Sequence, residues 1–169
     1  MQPTYRIVVG IDGSQDSERA LRWAMREAAG RGGTVQAVMV YDWAGTEAAL
    51  LAGLGPDGER QRAEDILAEV IERGQRDFPG VTVASEALRG NPGVRLAETA
   101  ADADLLVVGS HGKGRLHHAV LGSVSDECVR SARCPVVVIP LPHPATARGA
   151  ESVVLANGSK AQPAPPSNN

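Results

Sequence analysis

Asp104-Leu105-Leu106-Val107-Val108-Gly109-Ser110-His111-Gly112-Lys113-Gly114-Arg115 is the stretch that decides the fold. Leu105 to Val108 is apolar at every position, so a strand formed there is buried on both faces. Parallel sheets covered by helices bury their strands in this way, whereas half-wetted antiparallel strands alternate apolar and polar residues. The run stops at a glycine-rich loop, and Gly122 to about Ala132 then reads as a helix.

Outward from this unit the same strand-then-helix order recurs. Arg6-Ile7-Val8-Val9-Gly10-Ile11-Asp12 is a β-branched run ended by Gly13-Ser14. Ser14 or Asp16 is placed to cap a helix that brings Ala20, Leu21, Ala24, Met25 and Ala28 to one face. Gly30, Gly32 and Gly33 stop that helix, and Thr34 to Val40 predicts a second strand. Residues 41–57 read as a long loop, either plain surface or a lid over a site. Glu59 to Arg76 is helical, with Ala63, Ile66, Leu67, Val70 and Ile71 on one face. Val81 to Leu88 predicts a third strand. Asn91 caps and Pro92 opens a helix with Val94, Ala97, Ala100 and Ala101 inward. Pro135 to Pro140 is a fifth strand bracketed by prolines.

Strands alternating with helices predict a five-stranded, doubly wound parallel α/β sheet with helices on both faces and right-handed crossovers. The domain takes residues 1–141. Six of the eleven prolines fall from Pro140 onward, and residues 142–169 read as a disordered tail. Ser152-Val153-Val154-Leu155 is its only apolar spot and is too short to predict an element.

A chain of 169 residues suits one domain. The net charge of −3, without charged blocks, argues against the basic face of a nucleic-acid binder. No apolar run approaches the ~18–20 residues of a membrane helix. Met1-Gln2-Pro3-Thr4-Tyr5-Arg6 has no signal-peptide layout, so a cytoplasmic location is expected. Cys128 and Cys134 read as reduced thiols, being too few and too close for a disulfide framework or a structural zinc site.

Ligands of doubly wound sheets bind beyond the carboxyl ends of the strands, where strand order reverses. With the first strand central, that point lies between strands 1 and 4. Gly10-Ile11-Asp12-Gly13-Ser14 and Gly109-Ser110-His111-Gly112-Lys113-Gly114-Arg115 then face one crevice. Gly109, Gly112 and Gly114 allow close backbone approach. Gly122-Ser123-Val124-Ser125 opens a helix whose free amides and positive dipole end point at the crevice. Ser123 or Ser125 offers a hydroxyl, and Lys113 and Arg115 offer cationic charge. Asp12 is an acceptor for a base, a ribose or a hydrated metal. His111 is either a loop donor or a bystander. Each feature has an ordinary explanation in turn glycines, a serine cap or an Asp-Gly turn pair; their convergence on one crevice is what points to phosphate. The P-loop, the dinucleotide fingerprint and the hydrolase elbow are missing from the sequence. What remains is a nucleotide-sized pocket with no catalytic constellation.

Gly109-x2-Gly112-x9-Gly122-Ser123 resembles, in both spacings, the nucleotide-binding signature of the universal stress protein family. The opening Val8-Val9-Gly10-Ile11-Asp12-Gly13-Ser14 and the closing Cys134-Pro135-Val136-Val137-Val138-Ile139 are similar as well, and the resemblance covers about residues 5–140. It implies bound ATP. Asp12 and the backbone around Val40 would hold the adenine and ribose end. The Gly109–Gly112 loop and Gly122-Ser123-Val124 would hold ribose and phosphates, with Ser125 near the phosphates and magnesium on them. It also implies a homodimer through Pro135–Ile139. The expected function is that of an ATP-binding stress-response sensor or regulator, with slow ATP hydrolysis at most. Two alternatives stay open. One is an adenylate-processing enzyme, since Gly10-Ile11-Asp12-Gly13-Ser14 resembles the phosphate loop of ATP pyrophosphatases without its S-G-G-x-D-S pattern. The other is an interaction module whose pocket is vestigial.

Overall fold

The computed structural model describes residues 4–42, 55–110 and 121–140, and the backbone pairing of residues 154–155. In chain order the elements are β1 (Arg6–Ile11), α1 (Gln15–Arg31), β2 (Thr34–Tyr41), α2 (Pro56–Asp77), β3 (Thr82–Arg89), α3 (Pro92–Thr99), β4 (Leu105–Gly109), α4 (Ser123–Ser131), β5 (Val136–Ile139) and β6 (Val154–Leu155). They form one sheet in the order β3-β2-β1-β4-β5-β6. β1 to β5 are mutually parallel, as expected, and β6 adds antiparallel to β5. β1 is central, with Val8 opposite Gln36 on one side and Leu106 on the other. The chain steps one way from β1 to β2 and β3, then returns across to β4, so strand order reverses between β1 and β4.

The unbroken apolar runs follow from this arrangement. Ile7, Val9 and Ile11 pack with Leu21 and Met25 of α1 and with Leu67 and Val70 of α2. Val8 and Leu106 point the other way, onto Leu96 of α3, its C-cap Ala100 and Cys128 of α4. Val107 and Val108 divide between the two faces in the same fashion. Among the described residues, no helix is long and apolar enough to cross a membrane.

Three expectations are corrected. The second long helix begins at Pro56 and not at Glu59. Proline's fixed φ suits the first helical position, and Asp57 and Glu59 favour the positive dipole end of that turn. The α3 face is rotated in part: Ala97 and Ala100 are buried as expected, but Gly93 and Leu96 are buried as well, Ala101 is half-buried and Val94 is 40% exposed. The rotation follows from contact with α4, where a Cβ on Gly93 would lie 2.7 Å from the Cβ of Glu127. Only the glycine edge of α3 can turn toward α4. Finally, Val154 and Leu155 do form an element, pairing with Val138 and Val137, so β5 is not the sheet's bare edge. An open strand edge carries unpaired N–H and C=O groups, and even two residues satisfy some of them. Residues 43–54 of the expected loop or lid lie outside the described residues, as does the tail apart from β6.

Candidate functional site

A cavity of about 330 Å³ opens at the carboxyl ends of β1 and β4, where strand order reverses. It is lined by Gly10, Ile11, Asp12, Val40, Gly109, Ser110, Gly122, Ser123, Val124 and Ser125, all of them expected from the sequence. His111, Gly112, Lys113, Gly114 and Arg115 lie outside the described residues. The lining also includes Ser17, Pro92, Leu96 and Val108, which sequence reasoning did not assign to the site. Ser17 had a signal: it sits three residues after Ser14, in the first turn of the helix that follows β1. Leu96 had none, because its place depends on the rotation of α3.

The loop after β1 is fixed by its own polar groups. Gly13 has φ 78, a left-handed conformation that costs a glycine little. Asp12 Oδ1 accepts from the Ser14 amide at 2.9 Å. Ser14 in turn caps α1, accepting from the Ser17 amide at 3.2 Å while its carbonyl takes the Ser17 hydroxyl at 2.9 Å. One Asp12 oxygen is thereby turned toward the backbone, and the half-buried side chain is held at the cavity wall.

α4 is arranged differently. Its cap residue Gly122 has no side chain to offer the first-turn amides. The first intrahelical bond runs from the Asp126 amide to the Gly122 carbonyl at 2.9 Å. The amides of Ser123, Val124 and Ser125 precede it, and such first-turn donors have no partner within their helix. All three residues line the cavity. By contrast, the start of α3 is closed by Asn91, whose Oδ1 accepts from the Val94 amide at 3.2 Å. The Ser125 hydroxyl is engaged with backbone, donating to Gly122 at 2.9 Å and Ser110 at 3.2 Å. Ser123, which is exposed, carries the more accessible hydroxyl at the cavity.

Two of the glycines make room for protein. A Cβ on Gly10 would lie 2.9 Å from Leu96 Cδ1, so a bare Gly10 lets Leu96 reach the cavity wall. A Cβ on Gly109 would lie 3.1 Å from the Cβ of Asp16, so Gly109 lets β4 approach the start of α1. Ile11, Val40, Pro92, Leu96 and Val108 make the apolar wall. Cys128, on the buried face of α4, is fully buried, and burial with Glu127 and Cys134 nearby pushes its thiol up to about 11. A thiol in that state is a packing group, not a nucleophile. Among the described residues no cluster of three His, Cys, Asp or Glu side chains could hold a metal.

The site is thus an apolar slot with one acid at its side and, at its end, the start of a helix that its glycine cap leaves without a side-chain cap. The sequence pattern of the Universal stress protein family matches residues 4–140. The chain is 41% identical over 132 residues to the universal stress protein Rv2005c of Mycobacterium tuberculosis, a match covering 78% of this chain and 44% of that protein. It is 33% identical over 132 residues to Rv2623 of the same organism, again covering 78% and 44%. The chain therefore spans less than half the length of these curated relatives. Among solved structures it is similar to a universal stress protein in complex with cAMP, at TM-score 0.57 and 29% identity over 79% of this chain and 94% of the other. It is also similar to UspA from Lactobacillus plantarum, at TM-score 0.68 and 25% identity over 79% and 96%.

Proposed function

Because the chain belongs to the universal stress protein family, we propose that it binds ATP and acts as a nucleotide-responsive regulator in a stress response. The observation that carries this reading is the bare start of α4, where a glycine cap leaves three amides at the cavity. A helix start of this kind stabilises a polyphosphate through N–H donors and the positive dipole end together. The base lies against Val40, Pro92, Leu96 and Val108, and Asp12 accepts from the ribose or base. The phosphates lie against Ser123, Val124 and Ser125. Lys113 and Arg115, which lie between β4 and α4 in the sequence, add charge. Magnesium, which prefers phosphate oxygens and water to an all-protein cage, is carried on the phosphates and not on a protein carboxylate cluster.

A cyclic mononucleotide is the second reading, favoured by the relative in complex with cAMP. A slow hydrolysis of ATP is compatible with the first. Mass spectrometry of small molecules released from freshly purified protein tests the proposal. ATP or its diphosphate product in the extract supports it, cAMP supports the second reading, and an extract without nucleotide from protein that also fails to take up added ATP or cAMP contradicts both.

A further inference from the structure

We propose that the chain's own Val154–Leu155 strand blocks the β5 edge, so that a second copy of this chain pairs there only after the strand has left. The Leu106 amide donates to the Pro135 carbonyl at 3.0 Å, and the Ser110 amide to the Ile139 carbonyl at 2.8 Å. Backbone groups of successive strand residues alternate sides within the sheet plane. Pro135, Val137 and Ile139 therefore turn theirs toward β4, and Val136 and Val138 turn theirs away from it. Val138 is the residue that stands opposite Val154. The register thus sets Val154 on the outward N–H and C=O of β5.

β5 has few such groups. It is four residues long, and Pro140, which follows it, has no N–H to give. Any strand added at this edge has to use Val136 and Val138, so β6 and a partner strand exclude one another. The competing occupant is a second copy because an antiparallel pairing of β5 with itself about a twofold axis is self-complementary. Val-Val-Val-Ile carries no charge to repel its own copy. Natural edge strands are commonly guarded by charge or by a covering segment; here the covering segment is β6. Nothing in this competition depends on the nucleotide pocket.

The effect is large for modest docking. If the strand is docked about nine-tenths of the time, two open copies are needed for pairing, and self-association weakens about a hundredfold. Val154→Pro removes the N–H that the register aims at the Val138 carbonyl. Sedimentation equilibrium of the full-length chain and of the full-length Val154→Pro variant reads the self-association. Hydrogen exchange at the Val138 amide, in dilute monomer, reads the docking. The variant is expected to self-associate at least ~tenfold more tightly and to lose protection at Val138. Equal self-association in the two proteins, tighter self-association of the parent, or unchanged exchange at Val138 overturns the proposal.

Discussion

The Gly122 amide donates to the Ser110 carbonyl at 2.8 Å, joining the start of α4 to the end of β4 across residues 111–120. The Ser125 hydroxyl reaches the same carbonyl at 3.2 Å. Two donors on one acceptor tie the first turn of α4 to the end of β4 and so set where its amides point.

Ser125→Ala removes one of those donors and leaves the other. The hydroxyl's loss from a buried position is expected to lower stability by ~0.5–1.5 kcal/mol, measured by urea unfolding. ATP affinity is expected to fall less than ~tenfold, because the Gly122–Ser110 bond still aims the helix. A complete loss of binding with unchanged stability would assign the Ser125 hydroxyl directly to the ligand.

Gly10→Ala forces the 2.9 Å contact with Leu96. The end of the leucine side chain has to shift, at a small cost in stability because it borders the cavity, and the shift alters the cavity wall. Gly10→Ala is expected to lower both the melting temperature and ATP affinity, and Gly10→Ala with Leu96→Ala to recover part of the affinity. A double-mutant cycle measures the coupling. Strict additivity would mean that Leu96 does not transmit the change.

Asp12→Asn keeps an oxygen for the Ser14 amide, whereas Asp12→Ala removes both the turn and the charge. Asp12→Asn is expected to fold with near-parent stability and to bind ATP more weakly. Asp12→Ala is expected to lose ~1–3 kcal/mol of binding free energy. Calorimetric titration of the two variants separates the turn from the acceptor.

Cys128 makes stability fall at high pH. Its thiol titrates near 9.0 when unperturbed and at about 11 in the folded protein, chiefly through burial. Between those values the unfolded chain has released a proton that the folded chain keeps, so stability declines across that window and is unaffected below it. Cys128→Ala is expected to lack this component. The difference between parent and variant unfolding free energies, followed from neutral pH to about 11, checks it; a difference that does not change with pH would contradict it.

Much of the site could be read from the sequence because it depends on strands whose character is local. The runs ending at Asp12 and Gly109 announce buried parallel strands, and with β1 central their loops have to meet. The glycine cap at Gly122 is likewise visible one residue before its helix. Leu96 was not visible in this way. An eight-residue helix has too few turns for its apolar spacing to fix its rotation, and Val94 competes with Leu96 for the inward face. The close approach of Gly93 to Glu127, a contact between helices far apart in sequence, decides between them. β6 was hidden for a related reason. Two residues carry no periodicity, and their pairing depends on an edge left open elsewhere in the chain.

Calorimetric titration of ATP with magnesium into the full-length chain and into Gly122→Val tests the central claim most directly. Gly122 has φ −72 and ψ 163, an extended conformation open to any residue, so the backbone there admits valine, whose branched side chain would stand at the start of α4. Saturable heat is expected for the parent and none for the variant, with both melting alike in the absence of nucleotide. No heat from the parent at millimolar ATP, or equal binding by the two proteins, would contradict the account.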